Sequence, residues 1–348
     1  MIRINTINLM TDIIIKSFNR PFYLDRCISS INKYVSGDFR IKVLDDGTPE
    51  QYLDKIRKKY PDVEIRLSDN YEKKTKAIEE NLISGKAVNG FEIPTKFWYD
   101  NVKNASEYVV VTEDDVWFTN AININELSNQ AKTLDINLIK LGWLGNESER
   151  NDLIIDSISD NLESAQPKDL PYFPKKLMEA FFYNQYKFFT ILYKLGQVDN
   201  LTQRKYWALN SILMGFFNKE YWLKIWEGMN GKVDEKRQLI NAALFYKKNK
   251  NNPNFISKLK LEAMKTTFQS SATNSYHEYG FDFDVNQFNH LINEAWLKDE
   301  FDSMENFPKD FSINYFKKFV QGKINFGEYE KWVNKFRHQY ENLGCNVE

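Results

Sequence analysis

The chain alternates short apolar runs with amphipathic stretches. Asp12–Phe18 (DIIIKSF) is dense in β-branched residues, the composition of a buried strand. The next stretch places Leu24, Cys27, Ile28, Ile31 and Val35 at helical spacing, with Asn19 positioned to cap and Pro21 in the first turn. A second apolar run, FRIKVL, ends in a turn of Asp45, Asp46 and Gly47; QYLDKIRKKY is again amphipathic, and VEIRLSDN reads as a third strand. Two successive strand–helix units predict an open parallel sheet. Further helices are predicted over 71–87, 95–105 and 124–135, with strands over 108–115 and 136–143.

Beyond residue 145 the pattern changes. Residues 145–171 are polar, acidic and punctuated by proline, which predicts a loop or lid. KKLMEAFFYNQYKFFTILYKLG predicts one helix crowded with Phe and Tyr, VDEKRQLINAALFYKKN another, and the section from Phe301 is helical, aromatic and rich in Lys. The expectation is an α/β fold: a Rossmann-like, mostly parallel sheet flanked by helices, with a mainly helical C-terminal part. It divides into 1–145 for the sheet, 146–300 for a second half with the lid, and 301–348 for a helical extension.

Composition adds little to this picture. Of 348 residues, 42% are apolar and 27% charged, ordinary for a globular chain. Aromatics reach 15%, an excess that fits sugar or lipid contact surfaces, or a coding bias that also enriches Lys, Asn and Ile. The net charge of −1 supplies no global field for nucleic acid. Cys27 and Cys345 stand near opposite ends, so neither a disulfide framework nor a zinc site is expected. With no run of about 18 apolar residues, the expected location is the cytoplasm.

In an open sheet, ligands bind beyond the carboxyl ends of the strands. Three such ends carry polar clusters: Ser17–Arg20, Asp45–Asp46 and Glu113–Asp115. Acids in a strand-end loop suit a hard divalent cation, Mg²⁺ or Mn²⁺, which would offset charge on a departing diphosphate. An acidic turn capping the next helix explains Glu113–Asp115 as well, and a tight turn explains Asp45–Gly47. Lys73, Lys74 and Lys76 fit either support for a base or diphosphate or a solvated helix face.

The ordered series DIIIKSFNRPFYLDRCISSI, IKVLDDGT and VVVTEDDVWF resembles the N-terminal half of nucleotide-sugar-dependent glycosyltransferases of the GT-A fold, the family-2-like group, over roughly residues 10–145. The resemblance implies that Ser17, Asn19 and Arg20 form the first nucleotide-contacting turn and that Asp45 and Asp46 hold base and ribose. It implies that Asp115 binds the metal, while Glu113 and Asp114 face the ribose or sugar. This chain has Glu at the first position of that acidic motif, which leaves the ligand set open. In the second half, SILMGFFNKEYWLKIW followed by VDEKRQLINAALFY is similar to the segment where the family places its general base, making Asp234 and Glu235 the candidates; both also suit a helix N-terminus. His277 is the candidate late histidine for the metal.

Trp207, Trp222 and Trp226 fit either stacking faces for an acceptor sugar or core packing, with the four-residue spacing of Trp222 and Trp226 favouring the core. The stripe Phe181, Phe182, Tyr186, Phe189 and Tyr193 fits helix packing or a homodimer interface, or peripheral contact with a membrane bearing a lipid-linked acceptor. The resemblance therefore implies an inverting, metal-dependent transfer of sugar from a nucleotide-diphospho-sugar to a hydroxyl of a glycan or lipid-linked acceptor. The alternatives are a non-catalytic protein of the same fold, or a sugar-phosphate nucleotidyltransferase, against which KSFNRP lacks the glycine-rich loop.

Overall fold

The computed structural model describes residues 10–86, 88, 91–146, 151–270 and 280–347. Its centre is a nine-stranded sheet in the order β4-β3-β1-β5-β11-β8-β12-β10-β9. These strands are β1 (Thr11–Ser17), β3 (Phe39–Asp45), β4 (Glu64–Leu67), β5 (Tyr108–Glu113), β8 (Leu138–Lys140), β9 (Leu153–Ser157), β10 (Leu162–Pro167), β11 (Gly215–Asn218) and β12 (Ile256–Leu259). Pairings among β4, β3, β1 and β5 are parallel, as is β8 with β12. Only β11 and β10 run against the rest. Four two-residue strands, β2 (Val35–Ser36), β7 (Ile122–Asn123), β6 (Trp117–Phe118) and β13 (Met264–Lys265), pair off as two ribbons.

Strand periodicity builds two cores, one on each face of the sheet. Ile13 and Ile15 of β1, Val43 of β3, Val110 of β5 and Phe216 of β11 point into one; Ile14, Leu44, Val109, Val111 and Phe217 point into the other. The first face is covered by α1 (Pro21–Tyr34), α2 (Glu50–Lys59), α5 (Ile124–Thr133), α10 (Val285–Leu297), α11 (Ile313–Val320) and α12 (Phe326–Glu341). The second is covered by α4 (Thr95–Lys103), α6 (Lys175–Tyr183), α8 (Lys219–Ile225) and α9 (Glu235–Asn249). α3 (Tyr71–Ser84) follows β4. A mixed α/β sheet with helices on both faces is the expected class. Among the described residues no helix is long and apolar enough to cross a membrane.

Two local expectations are corrected. Part of the polar stretch read as a lid is a β-hairpin, β9–β10, at the edge of the sheet. It buries Leu153, Leu162 and Ala165; the edge strand β9 tolerates charge because one of its sides makes no ladder, and Pro167 lies at the end of β10, past its pairing with β12. The aromatic helix is broken: α6 ends at Tyr183 and α7 (Phe188–Lys194) begins after a turn in which Asn184, Tyr186 and Lys187 adopt φ of 51°, 53° and 58°. Asn184 tolerates that left-handed conformation, and its Oδ1 accepts the Thr190 amide at 3.2 Å, capping the next helix.

Adjacent charges on α1 tie the C-terminal segments to the sheet. Buried Asp25 accepts from Trp296 Nε1 at 2.9 Å, Ser303 Oγ at 2.6 Å and Lys59 Nζ at 2.8 Å. Fully buried Arg26 donates to the carbonyls of Ser303 and Glu305, each at 3.1 Å, and of Lys309, with its guanidinium 4.5 Å from the Phe311 ring. A buried carboxylate with several donors leaves each of them unsatisfied when it is removed. Asp25→Ala is therefore expected to lower the unfolding free energy by roughly 3 kcal/mol, read by denaturant titration.

Candidate functional site

Parallel register sets the site. Ser17 lies opposite Asp45 across β1 and β3, and Lys16 opposite Glu113 across β1 and β5. The three polar strand ends are thus neighbours on one edge of the sheet, although they are up to about 100 residues apart in the chain.

The turn after β3 is held from inside. Asp45 is fully buried and accepts from Gly47 N at 3.0 Å, Thr48 N at 2.7 Å and Thr48 Oγ1 at 2.6 Å. Burial raises its pKa, and these bonds oppose the rise. Asp45 is the clasp of the turn. Asp46 faces the other way, accepting Ser68 Oγ at 2.5 Å and the Lys74 ammonium. Lys74 also donates to the Glu92 carbonyl at 3.1 Å and stands near the rings of Phe18 and Phe91, at 5.7 and 5.8 Å. Gly47, at φ +149°, permits this packing: a Cβ there would lie 2.8 Å from the Phe18 ring and 2.9 Å from Lys74 Cβ.

The turn after β1 is also buried. Asn19, at φ 51°, donates its amide to Thr48 Oγ1 at 2.8 Å and accepts Asn293 Nδ2 at 3.2 Å, so it fastens the turn to α10. Ser17 is buried beside Asp45. Arg20, at the N-terminus of α1, reaches β5: its guanidinium pairs with Asp114 and donates to Asp115 Oδ2 at 2.8 Å. Asp114 also accepts the Phe18 amide at 3.2 Å. Glu113 is held by Lys16 at 2.6 Å, and the Lys16 ammonium lies 4.8 Å from the ring centre of Trp98 and 5.5 Å from that of Trp226.

Three acids thus meet two cations. Burial raises the pKa of Asp114 and of Asp115, Arg20 opposes the rise, and the neighbouring acids add to it. Asp115 Oδ1 is buried with no hydrogen-bond partner, which is costly unless a ligand or cation satisfies it. Among the described residues no cluster of three or more His, Cys, Asp or Glu forms a cage for a metal. The donor set fits a cation bound through one or two carboxylates, Asp115 and partly exposed Glu113, the usual share for Mg²⁺ with a phosphate ligand. His277 lies outside the described residues.

The candidate bases differ in role. Asp234 caps α9, accepting Arg237 N at 3.0 Å and Tyr183 Oη at 2.6 Å; burial is outweighed by these bonds and by Arg237, and its pKa falls. Glu235 makes no such bond; its carboxyl is open to water yet flanked by protein, and burial together with the Asp234 charge raises its pKa. Tyr340 of α12 feels the charges of both regions. Its hydroxyl is pushed to a higher pKa by burial and by the charges of Glu235, Glu113 and Asp115. Its ring stacks on Phe268, centroids 3.5 Å apart. Phe268 also lines a cavity of about 700 Å³ beyond the end of β8, with Lys140, Trp143, Arg204 and Trp207 on its walls. Trp222 and Trp226 are buried and stacked on each other, in the core.

Lys16 and Tyr340 are absent from the candidates drawn from sequence. Lys16 had a signal, a lysine at the end of a β-branched run; Tyr340 had none, because only packing of the last helix brings it here.

No family model matches the chain, and no curated protein matches it. Among solved structures, the chain is similar to S. aureus TarS 1–349 in complex with UDP, at 10% identity and a TM-score of 0.39, over 96% of this chain and 72% of that one. It is similar to the glucosyl-3-phosphoglycerate synthase from Mycobacterium tuberculosis in complex with Mn²⁺, UDP and glucosyl-3-phosphoglycerate, at 11% identity and 0.36, over 85% and 82%. The bifunctional glycosyltransferase WbbM matches at 9% identity and 0.38, over 99% of this chain but 53% of that one. These likenesses concern chain arrangement and carry no residue roles across.

Removing Arg20 would leave Asp114 and Asp115 buried without a counter-charge. Arg20→Met is expected to cost roughly 3–5 kcal/mol at neutral pH. Both carboxyls have raised pKa values in the folded state, so ionised forms oppose folding above those values and protonation relieves the penalty. The deficit of the variant should therefore shrink as pH falls, measured by denaturant titration across acidic pH.

Proposed function

We propose that this chain is a glycosyltransferase whose nucleotide-diphospho-sugar donor lies across the ends of β1, β3 and β5. The observation that carries the reading is Asp115 Oδ1, buried and unpartnered, in a cluster where three carboxylates share two cations, Lys16 and Arg20. The base and ribose would meet Phe18, Asp46 and Lys74. Asp115, with Glu113, would hold Mn²⁺ or Mg²⁺. That ion, when bound, supplies positive charge to the diphosphate.

Glu235 is the better candidate for general base, because Asp234 is committed to its cap. Its carboxylate would take the proton of an acceptor hydroxyl as that oxygen bonds to the anomeric carbon. The bond from that carbon to the diphosphate breaks, and the nucleoside diphosphate leaves with the electron pair. Direct displacement of this kind inverts the anomeric centre. The 700 Å³ cavity, walled by Trp143 and Trp207, suits the acceptor, a glycan or lipid-linked sugar.

Thermal shift with UDP, GDP and CMP, each with and without Mn²⁺, tests the donor site. One nucleotide should stabilise the chain in a metal-dependent way, and Asp115→Ala should abolish the dependence. If no nucleotide raises the melting temperature with metal present, the reading fails.

Turnover with a nucleotide-sugar panel tests the base. Glu235→Gln should lower kcat on the order of a hundredfold or more. Asp234→Asn keeps a capping oxygen but removes the charge that helps raise the Glu235 pKa. The acidic limb of the kcat/KM profile, where Glu235 becomes protonated and inactive, should therefore move to lower pH in that variant.

A further inference from the structure

Residues 175–205 hold six cations, Lys175, Lys176, Lys187, Lys194, Arg204 and Lys205, against two acids, Glu179 and Asp199, an excess of +4 in a chain whose net charge is −1. The acids are engaged: Glu179 pairs with Arg237 at 2.5 Å, and Asp199 accepts Thr202 Oγ1 at 2.7 Å. No ion pair engages Lys187 or Lys194 among the described residues.

Apolar side chains share this surface. α6 turns Met178, Phe181 and Phe182 into the core, while α7 buries no residue fully. The inner side of α7 rests on the core edge through Phe188, 5.6 Å from Phe173, and Phe189, 5.4 Å from Phe181. Tyr186 in the turn before it, Ile191 and Tyr193 on its two flanks and Leu195 at its end are 92%, 50%, 47% and 66% exposed, with Tyr193 stacked on Phe189 at 6.5 Å. The left-handed backbone at Tyr186 and Lys187 is the local reason: it interrupts the helix and leaves both side chains exposed.

We propose that the α6–α7 turn and α7 form a docking surface for an anionic lipid bilayer, with Tyr186, Ile191, Tyr193 and Leu195 entering the headgroup–acyl boundary and Lys187 and Lys194 contacting acidic headgroups. Interspersed apolar and basic groups on one helix fit that interface, where tyrosine has both an apolar body and a polar tip. A second copy docking through the same face would bring two more lysines to an interface that already holds Lys187 and Lys194, with no acid among residues 186–195 to offset them. The surface borders the candidate active site, since Tyr183 at the end of α6 bonds Asp234, next to Glu235. Lipid docking itself does not depend on the transferase reading.

Co-sedimentation of the full chain with vesicles tests the proposal. The chain should bind vesicles containing phosphatidylglycerol, bind phosphatidylcholine alone much less, and release as salt rises. Tyr186→Ser with Tyr193→Ser, and separately Lys187→Glu with Lys194→Glu, should each weaken binding on the order of tenfold or more. All four positions are exposed or at a helix edge, so melting temperature should hold, and nucleotide-induced thermal shifts should be unchanged. Absence of binding to acidic vesicles, or binding indifferent to both double variants, overturns the proposal. So does a wild-type dimer that the tyrosine variant dissociates, with no vesicle binding by either form.

Discussion

The pairing of Arg20 with Asp114 and Asp115 is the contact on which the rest of the site depends. It joins the turn leaving β1 to the turn leaving β5, two segments far apart in sequence and adjacent in the sheet. Three consecutive acids at the edge of a core repel one another and lose solvation. Lys16 pairs with Glu113, and Arg20 divides its guanidinium between Asp114 and Asp115, so two cations serve three acids. Among the carboxylate oxygens of these three acids, Asp115 Oδ1 is buried without a hydrogen-bond partner.

The surrounding architecture holds this arrangement in place. Asp45 and Asn19 spend their hydrogen-bonding capacity on the turns themselves, while Asp46 turns to Ser68 and Lys74, beside the Phe18 ring. α1 follows directly on Arg20 and is anchored in its first turns by Asp25 and Arg26, whose partners come from the C-terminal segments. The strand-end cluster is thereby linked to residues 296–309, which lead into the last helices.

Much of the fold was legible in the chain because its strands are buried on both faces. DIIIKSF and YVVVTE are continuous apolar runs, a pattern that only a covered sheet requires. The β-hairpin at 153–167 was not legible: its edge position relaxes the demand for apolar residues, so its sequence looks like a loop. β11 was hidden for a different reason. GFFN is four residues long and sits between helical stretches, and its place between β5 and β8 is set by the neighbours it fills in between. The helix break at Asn184 left one cue, an asparagine suited to left-handed backbone, inside an otherwise helical run of aromatics.

The division within the site follows from the same physics. Residue types and order along the chain were enough to place Ser17–Arg20, Asp45–Asp46 and Glu113–Asp115 at strand ends, because strand direction in a parallel sheet puts successive ends on one edge. Which of those side chains are clasps and which are free was decided only by the folded structure. Asp45 and Asp46 are neighbours of identical chemistry, and so are Asp114 and Asp115. Burial, the backbone amides each meets, and cations such as Lys74 and Arg20 separate their roles. These are long-range contacts with no local signature, and the chain reveals them only when it is packed.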